Sequence, residues 1–351
     1  MSPLLSVVDL VKHYPAGGAG KVLALDGISF DLAEGEVLGV VGESGCGKST
    51  LGRTVMRLAR PTSGRILYRG TDLAGLKGRA LKAARADIQM VFQDPFGSLN
   101  PRHSVATIVG EPLVVHGRPD REKRVRELLD LVGLPQAAAS RLPHEFSGGQ
   151  RQRIAIARAL ALSPKIIVAD EAVSALDVSI QSQIINLFAD LRRELGLSMI
   201  FISHDLSVVR HVSDRIAVMY FGKFVETAPA EDLFRAPLHP YTRALMSAIP
   251  RLPGSASEGG SRQRIVLKGD VPNLALRPEG CLFHPRCYVM REICRHEAPA
   301  LLPPDAEPAT TRLCACHFPG EGPPAEVETR DGQTPASQTP DSQTAEKTSV
   351  S

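Results

Sequence analysis

One stretch constrains this chain more than any other: Gly42-Glu43-Ser44-Gly45-Cys46-Gly47-Lys48-Ser49-Thr50. It fits G-x-x-x-x-G-K-[ST], a loop that cradles phosphates. The glycines let the backbone curl so that its N–H groups converge on an anion. Lys48 is placed to reach phosphate oxygens, and Ser49 to offer its hydroxyl to Mg²⁺. The flanks agree with this reading. Residues 37–41 form an apolar run that predicts a buried strand, and residues 50–58 predict a helix whose N-terminal dipole favours a bound anion. A strand, loop and helix in that order belong to an α/β fold.

The rest of the chain supplies the partners of that unit. Residues 4–14 and 22–32 predict two strands around a Gly-rich turn, and residues 65–68 a third. Ile88 to Phe92 predicts a core strand ending at Gln93-Asp94-Pro95. Residues 95–163 are different: mainly helical, punctuated by Pro101, Pro112, Pro119, Pro135 and Pro143. They read as a helical insertion. Strands resume at Ile166-Ile167-Val168-Ala169, a continuous apolar run suited to a parallel strand buried on both faces. The helix that follows carries Ile180, Ile184, Leu187, Phe188, Leu191 and Leu195 on one face, with Gly196 as its cap. Another strand, Met199 to Ile202, ends at Ser203-His204-Asp205, and a hairpin turns at Gly222-Lys223. Strands alternating with helices imply a parallel sheet wrapped by helices.

Nucleotide hydrolysis needs a carboxylate to hold the metal and a group to align or activate water. Asp170, at the end of an apolar strand, fits the first need. Glu171 is the adjacent carboxylate, placed to accept the water's proton.

Around these residues the pattern becomes specific. Phe146-Ser147-Gly148-Gly149-Gln150 precedes a basic helix, Gln93 and His204 each follow a strand, and Ser174-Ala175-Leu176-Asp177 follows the Asp-Glu pair. In order and spacing this resembles the ABC ATPases from residue 4 to about 230. The resemblance implies an α/β P-loop NTPase core with an antiparallel β subdomain and a helical subdomain. It implies that Tyr14 stacks on adenine and that Gly42, Gly45, Gly47, Lys48, Ser49 and Thr50 hold phosphates. Gln93 would touch Mg²⁺ and the attacking water, with Ser49 and Asp170 as the other metal-holding residues. His204 would hold the γ-phosphate. Ser147, Gly148, Gly149 and Gln150 would contact ATP bound to an opposite subunit, and Asp177 would cross the dimer interface. The signature lies far along the chain from the phosphate loop, so a head-to-tail dimer is needed to complete each site. ATP would then act as a bistable glue that hydrolysis releases.

A closer likeness lies in Val91 to Arg102, in Val173 to Gln181 and in Pro237 to Leu245, which look like oligopeptide/dipeptide importer ATPases through residue 318. The chain departs from that family at Ala172, where Pro is usual; the change removes no chemical group.

Five of the six cysteines fall in residues 264–318, as Cys281-x5-Cys287-x6-Cys294 and Cys314-x-Cys316-His317. The spacing fits neither a zinc finger nor a common ferredoxin pattern, so iron–sulfur, zinc and buried free thiols all stand open. The family resemblance implies a [4Fe-4S] cluster on Cys281, Cys287, Cys294 and Cys316, with Cys314 spare. Cys46 reads as a small filler within the loop.

Three units are expected: a nucleotide-binding domain over 1–250 with its helical subdomain at about 95–163, a Cys-containing segment over 251–318, and a disordered tail over 319–351. The net charge of +3 is too small to argue for nucleic acid. No apolar run approaches the ~18 residues that span a bilayer. The expected place is therefore the cytoplasmic face of the membrane, held there by partners. The resemblance implies ATP hydrolysis driving uptake of short peptides, with a second ATPase subunit, two transmembrane permease subunits and an extracytoplasmic peptide-binding protein. Nickel or another small solute is the alternative cargo. A soluble, non-transport ABC ATPase is the alternative class.

Overall fold

The computed structural model describes residues 2–15, 21–249, 264–267, 277–304 and 311–323. The expected turn over 16–20, the linker over 251–263 and most of the expected tail lie outside the described residues.

The chain begins with β1 (Leu5–Pro15) and β2 (Lys21–Leu32), paired antiparallel. Then come β3 (Val37–Val41) and α1 (Lys48–Val55), followed by β4 (Ser63–Tyr68) and the two-residue β5 (Thr71–Asp72). Next are α2 (Gly78–Asp87) and β6 (Ile88–Val91). The helical insertion holds α3 (Pro95–Ser98), α4 (Val105–Val115), α5 (Arg121–Leu131) and α6 (Gly148–Leu160). The core resumes with β7 (Ile166–Asp170), α7 (Val178–Leu195), β8 (Ser198–Ile202) and α8 (Leu206–Val212). A hairpin of β9 (Arg215–Tyr220) and β10 (Lys223–Pro229) follows, then α9 (Ala230–Arg235) and α10 (Pro240–Ser247). The cysteine segment supplies α11 (Ile293–His296) and β11 (Leu313–Cys314).

Two sheets result. One is antiparallel, in the order β2-β1-β4-β5; the other runs β11-β10-β9-β3-β8-β7-β6. Within the larger sheet β9, β3, β8, β7 and β6 are parallel neighbours, and β10 and β11 extend it antiparallel. The central strands β3, β7 and β8 are buried along their whole length. Side chains alternate faces along a strand, and here each face enters a different core. Val37, Val41, Ile167, Ala169, Met199 and Phe201 pack with the helical insertion and α7. Leu38, Val40, Ile166, Val168, Ile200 and Ile202 pack with α1 and the antiparallel sheet. The sheet is thus the shared wall of two cores, and its strand ends carry the site.

Several expectations need adjusting. The helix after the phosphate loop starts at Lys48 and stops at Val55, because Arg57 turns to a positive φ of 56°. The third strand, expected over 65–68, starts two residues earlier, at Ser63. Leu195 keeps the helical spacing of α7 but is 41% exposed, because it is the last residue before the left-handed Gly196 cap. The cysteine segment also joins the main sheet, because Glu226 and Thr227 of β10 pair with Cys314 and Leu313.

Candidate active site

The phosphate loop leaves β3 and enters α1 through a left-handed Gly47. Two glycines are required by what they touch. A Cβ on Gly42 would meet the Met219 carbonyl oxygen at 2.2 Å, and one on Gly47 the Ala24 carbonyl oxygen at 2.4 Å. Both also have positive φ, 156° and 111°, which side-chain-bearing residues rarely adopt. The Gly222 N–H of the β9–β10 turn donates to the Cys46 carbonyl at 2.9 Å, tying the loop to the hairpin. Cys46 is buried, and burial pushes its thiol up, as a filler's would be.

Lys48 is 4% exposed and folds back on its own loop, donating to the carbonyls of Gly42 at 2.7 Å and Glu43 at 2.9 Å. Ser49 Oγ donates to Asp170 Oδ1 at 2.8 Å. Asp170 is 1% exposed; burial raises its carboxyl, and the Ser49 bond opposes that. These two oxygens, one hydroxyl and one carboxyl, suit a hard divalent cation such as Mg²⁺.

Glu171 stands next along the chain in a left-handed conformation, φ 48°. Strain of this kind persists where neighbours hold it. Here the Glu171 N–H donates to the Ile202 carbonyl at 2.9 Å, while its own carbonyl accepts from the Ser174 N–H at 3.1 Å and Ser174 Oγ at 3.0 Å. The carboxylate faces two polar groups: Gln93 Nε2 donates to Oε2 at 3.0 Å, and His204 Nδ1 lies 3.4 Å from the same oxygen. A cleft of about 290 Å³ is lined by Ala24, the loop residues from Ser44 to Thr50 other than Cys46, Gln93 and Glu171. Expected phosphate, metal and water-handling residues therefore meet in one place.

The signature residues do not line that cleft. Ser147 caps α6, with Ser147 Oγ accepting from the Gln150 N–H at 3.4 Å and the Ser147 N–H donating to Gln150 Oε1 at 3.0 Å. This reciprocal box leaves Ser147 exposed at a helix N-terminus. Gly149 is buried, and a Cβ there would meet Ile180 Cγ2 at 2.4 Å. Asp177 precedes α7 and is exposed, with the 78% exposed Val178 beside it. Tyr14 sits at the end of β1, 37% exposed, with the Lys12 ammonium 4.8 Å from its ring centroid. It pairs with Val22, two residues before the Ala24 that lies against Gly47. Ala172, where the resembled family has Pro, is 2% exposed.

Cys281, Cys287, Cys294 and Cys316 all line one small cavity, together with His239, Phe283 and Phe318, and Cys314 does not. Burial raises the Cys281 thiol, and pushes those of Cys287 and Cys316 up to about 11 and about 12. Four thiols on one cavity match a cluster's donor set in kind. Among the described residues, however, no three His, Cys, Asp or Glu side chains stand together at metal-holding spacing.

Sequence reasoning missed residues that hold the loop from behind. Tyr241 Oη accepts from the Glu43 N–H at 2.8 Å, and Arg286 forks onto the Glu43 carboxylate at 2.7 and 3.0 Å. Buried Glu226 accepts from the N–H groups of Leu238 and His239, both at 2.8 Å, anchoring the start of α10. No spacing rule links Glu43 to Arg286, and only an uncommon buried acid in a strand hinted at Glu226.

A phosphate loop on a mainly parallel sheet, with a Ser–Asp pair and a Gln–Glu–His string at the strand ends, defines an ATP-hydrolysing P-loop protein. Comparison with known proteins makes this narrower. Residues 25–174 match the family described as ABC transporter, and residues 225–294 match the oligopeptide/dipeptide transporter C-terminal region. The chain is 52% identical over 327 residues to oligopeptide transport ATP-binding protein AppF of Bacillus subtilis, covering 90% of this chain and 97% of that protein. It is also 52% identical over 324 residues to the probable peptide ABC transporter ATP-binding protein y4tS of Sinorhizobium fredii, covering 90% and 89%. Among solved structures it is similar to a dimeric ATP-binding cassette in a post-hydrolysis state bound to ADP and Pi. That likeness has 32% identity and a TM-score of 0.59, and covers 64% of this chain and 98% of the other. The chain belongs to the ABC transporter ATP-binding subunits of the oligopeptide type, and ATP with Mg²⁺ is the ligand of that family. Among the described residues no helix is long and apolar enough to cross a membrane.

Proposed function

We propose that this chain hydrolyses ATP to drive import of short peptides, working peripherally on the cytoplasmic face of the membrane. The observation that carries the reading is the single string of groups around Glu171 beside the phosphate loop. Lys48 exchanges the Gly42 and Glu43 carbonyls for phosphate oxygens when nucleotide enters. Ser49 and Asp170 are the residues that hold Mg²⁺, which supplies charge neutralisation to the phosphates. Glu171 accepts the proton of the attacking water. Gln93 and His204 both bear on Glu171 Oε2, so they orient that base; His204, with half its side chain exposed, is free to turn to the γ-phosphate. Tyr14 stacks on adenine.

Ser147, Gly148, Gly149 and Gln150 stand outside the chain's own cleft, which supports a second ATPase subunit that brings its signature to this loop and takes this one in return. Asp177 lies on the same exposed side of the exchange. Two permease subunits and a peptide-binding protein complete the assembly. Residues 1–250 form the nucleotide unit, and the segment after them its C-terminal brace.

The test is uptake of a labelled short peptide by cells carrying the chain or its Glu171→Gln form. Loss of uptake with Glu171→Gln, at equal membrane association, supports the peptide reading. Peptide uptake indifferent to the substitution moves the cargo to nickel or another small solute.

For the cysteine cavity we propose one further assignment, the one the family resemblance implies. Its four thiols, Cys281, Cys287, Cys294 and Cys316, are the donor set a [4Fe-4S] cluster takes, and a role in holding the segment together suits its position. Full-length protein prepared without oxygen should then absorb in the visible. A colourless preparation without iron retires the cluster and leaves four free thiols.

A further inference from the structure

Glu43 is an acid inside a loop built for anions. A carboxylate so near bound phosphates repels them, more strongly where water is scarce. The fold deals with each of its polar groups. The carboxylate is gripped by two parallel bonds from Arg286, Nη1 to Oε2 at 2.7 Å and Nη2 to Oε1 at 3.0 Å. Its N–H donates to Tyr241 Oη at 2.8 Å, and its carbonyl accepts from Lys48 Nζ at 2.9 Å. The Arg286 side chain is 10% exposed and that of Glu43 23%, so the pair is shielded from solvent. The cleft is lined by Ser44, Gly45, Gly47 and Lys48 but not by Glu43, whose side chain is drawn away from it.

Both gripping residues come from outside the cassette match, within the C-terminal region. Tyr241 lies in the first turn of α10 and is fully buried against Tyr220, with ring centroids 4.7 Å apart. Arg286 lies in the turn between Phe283 and Cys287, and Phe283 packs on Tyr220 and Tyr241 at 5.3 and 5.5 Å. This aromatic floor fixes where the fork and the hydroxyl stand.

We propose that Arg286 and Tyr241 are positioning residues for ATP. Arg286 neutralises Glu43 and turns it from the phosphates, and Tyr241 holds the Glu43 N–H so that the loop opens its later N–H groups to nucleotide. The C-terminal segment thereby sets the affinity of the ATP loop. A bidentate guanidinium is needed for this, since a lysine offers a point charge and no fork. The inference rests on ATP binding at this loop, which Lys48→Ala tests separately. Loss of turnover there, with wild-type behaviour of the Arg286 variants, sinks only the present inference.

The experiment is steady-state ATP hydrolysis by the full chain. Arg286→Gln should raise KM for ATP about tenfold, the factor that 1.4 kcal/mol of uncompensated repulsion represents, with kcat within about twofold. Glu43→Gln added to Arg286→Gln should bring KM back to within about threefold of wild type, because the charge needing a partner is gone. A bridge that merely fastens the C-terminal segment predicts no such rescue. An unchanged KM in Arg286→Gln, or a double variant no better than the single, overturns the proposal. If Arg286→Gln does not fold, Tyr241→Phe decides: KM raised about threefold at constant kcat supports it, and KM at the wild-type value overturns it.

Discussion

The ATP core and the C-terminal segment are built on opposite plans. In the core, the residues that matter are polar, meet at strand ends and are held by hydrogen bonds: Ser49 to Asp170, Gln93 to Glu171, Lys48 to its own loop. Behind the loop, where the C-terminal segment packs on β9 and α10, the Arg286 fork is set among buried rings and thiols. Phe283, 1% exposed, touches Tyr220, Tyr241 and His239, and four cysteines share one cavity. The core is arranged to change state with its ligand; the segment is arranged to stay still behind it. If so, core substitutions should lower kcat and spare stability, and substitutions of the buried rings behind the loop should lower stability and spare kcat.

The largest expected effect tests the first half. Glu171→Gln keeps size and the Gln93 contact but cannot take a proton. Turnover should fall by about 10²- to 10⁴-fold, the range for a lost general base, while the thermal midpoint stays near wild type. Turnover left unchanged would mean that Glu171 is not the base and that the core has no chemical privilege over the segment. Phe283→Ala tests the second half. Truncating a buried aromatic costs about 3–5 kcal/mol, to be read from urea unfolding. A loss of kcat as deep as that of Glu171→Gln in folded protein would erase the contrast.

The difference in plan also explains what could be read without a structure. Phosphate chemistry needs fixed residue types at fixed spacing, so the loop, Asp170, Glu171, His204 and the signature stand out in the sequence. The strands that carry them do as well, because burial on two faces leaves unbroken apolar runs such as Ile166 to Ala169. The segment obeys no such spacing. Its strand is two residues long, Leu313–Cys314, and is defined by its register on β10 and by an antiparallel bridge between Cys314 and Leu302. Arg286 and Glu43 are far apart in the chain and meet through tertiary packing alone. Even in the core, Gly149 carries a reason that motif reading hides: Ile180 leaves no room for a Cβ.

A pH series separates the two regions next. His239 is 1% exposed, accepts the Tyr241 N–H at Nδ1 and has a backbone bond to Ala315; burial pushes its imidazole down to about 3. An unfolded histidine titrates near 6.5. Between those values the unfolded chain binds a proton that the folded chain refuses, so stability is full above about 6.5 and falls as pH drops. The slope from this one group approaches about 1.4 kcal/mol per pH unit. Urea midpoints at pH 7.5 and 5.5 should therefore diverge in wild type and diverge less in His239→Gln. Equal slopes would show that the ring takes a proton in place and that the packing around the cysteine cavity, which His239 lines, is softer than its burial indicates.

The smallest effect belongs to Tyr14, and it asks whether the contrast holds at the edge of the core. Tyr14 is the one proposed nucleotide contact that is aromatic, as several residues behind the loop are, yet it is 37% exposed and, among the described residues, no aromatic ring pairs with it. Its stability role should accordingly be slight. Lys12 already lies over the ring at 4.8 Å, a contact that holds the ring's orientation without covering it as a core would. A base stacked on an exposed ring is worth about 1–3 kcal/mol, toward the lower end at an open site. Tyr14→Ala should then weaken ATP binding by about five- to tenfold, Tyr14→Phe should leave it unchanged, and both should unfold at the wild-type urea midpoint. Because stacking uses the ring face and not the hydroxyl, the Phe variant separates a nucleotide contact from a hydrogen-bonding role. Should Tyr14→Ala instead lower the midpoint and leave ATP binding alone, Tyr14 packs the β1–β2 edge. The base would then be held by other residues, and aromatic side chains in this chain would serve structure on both sides of the comparison.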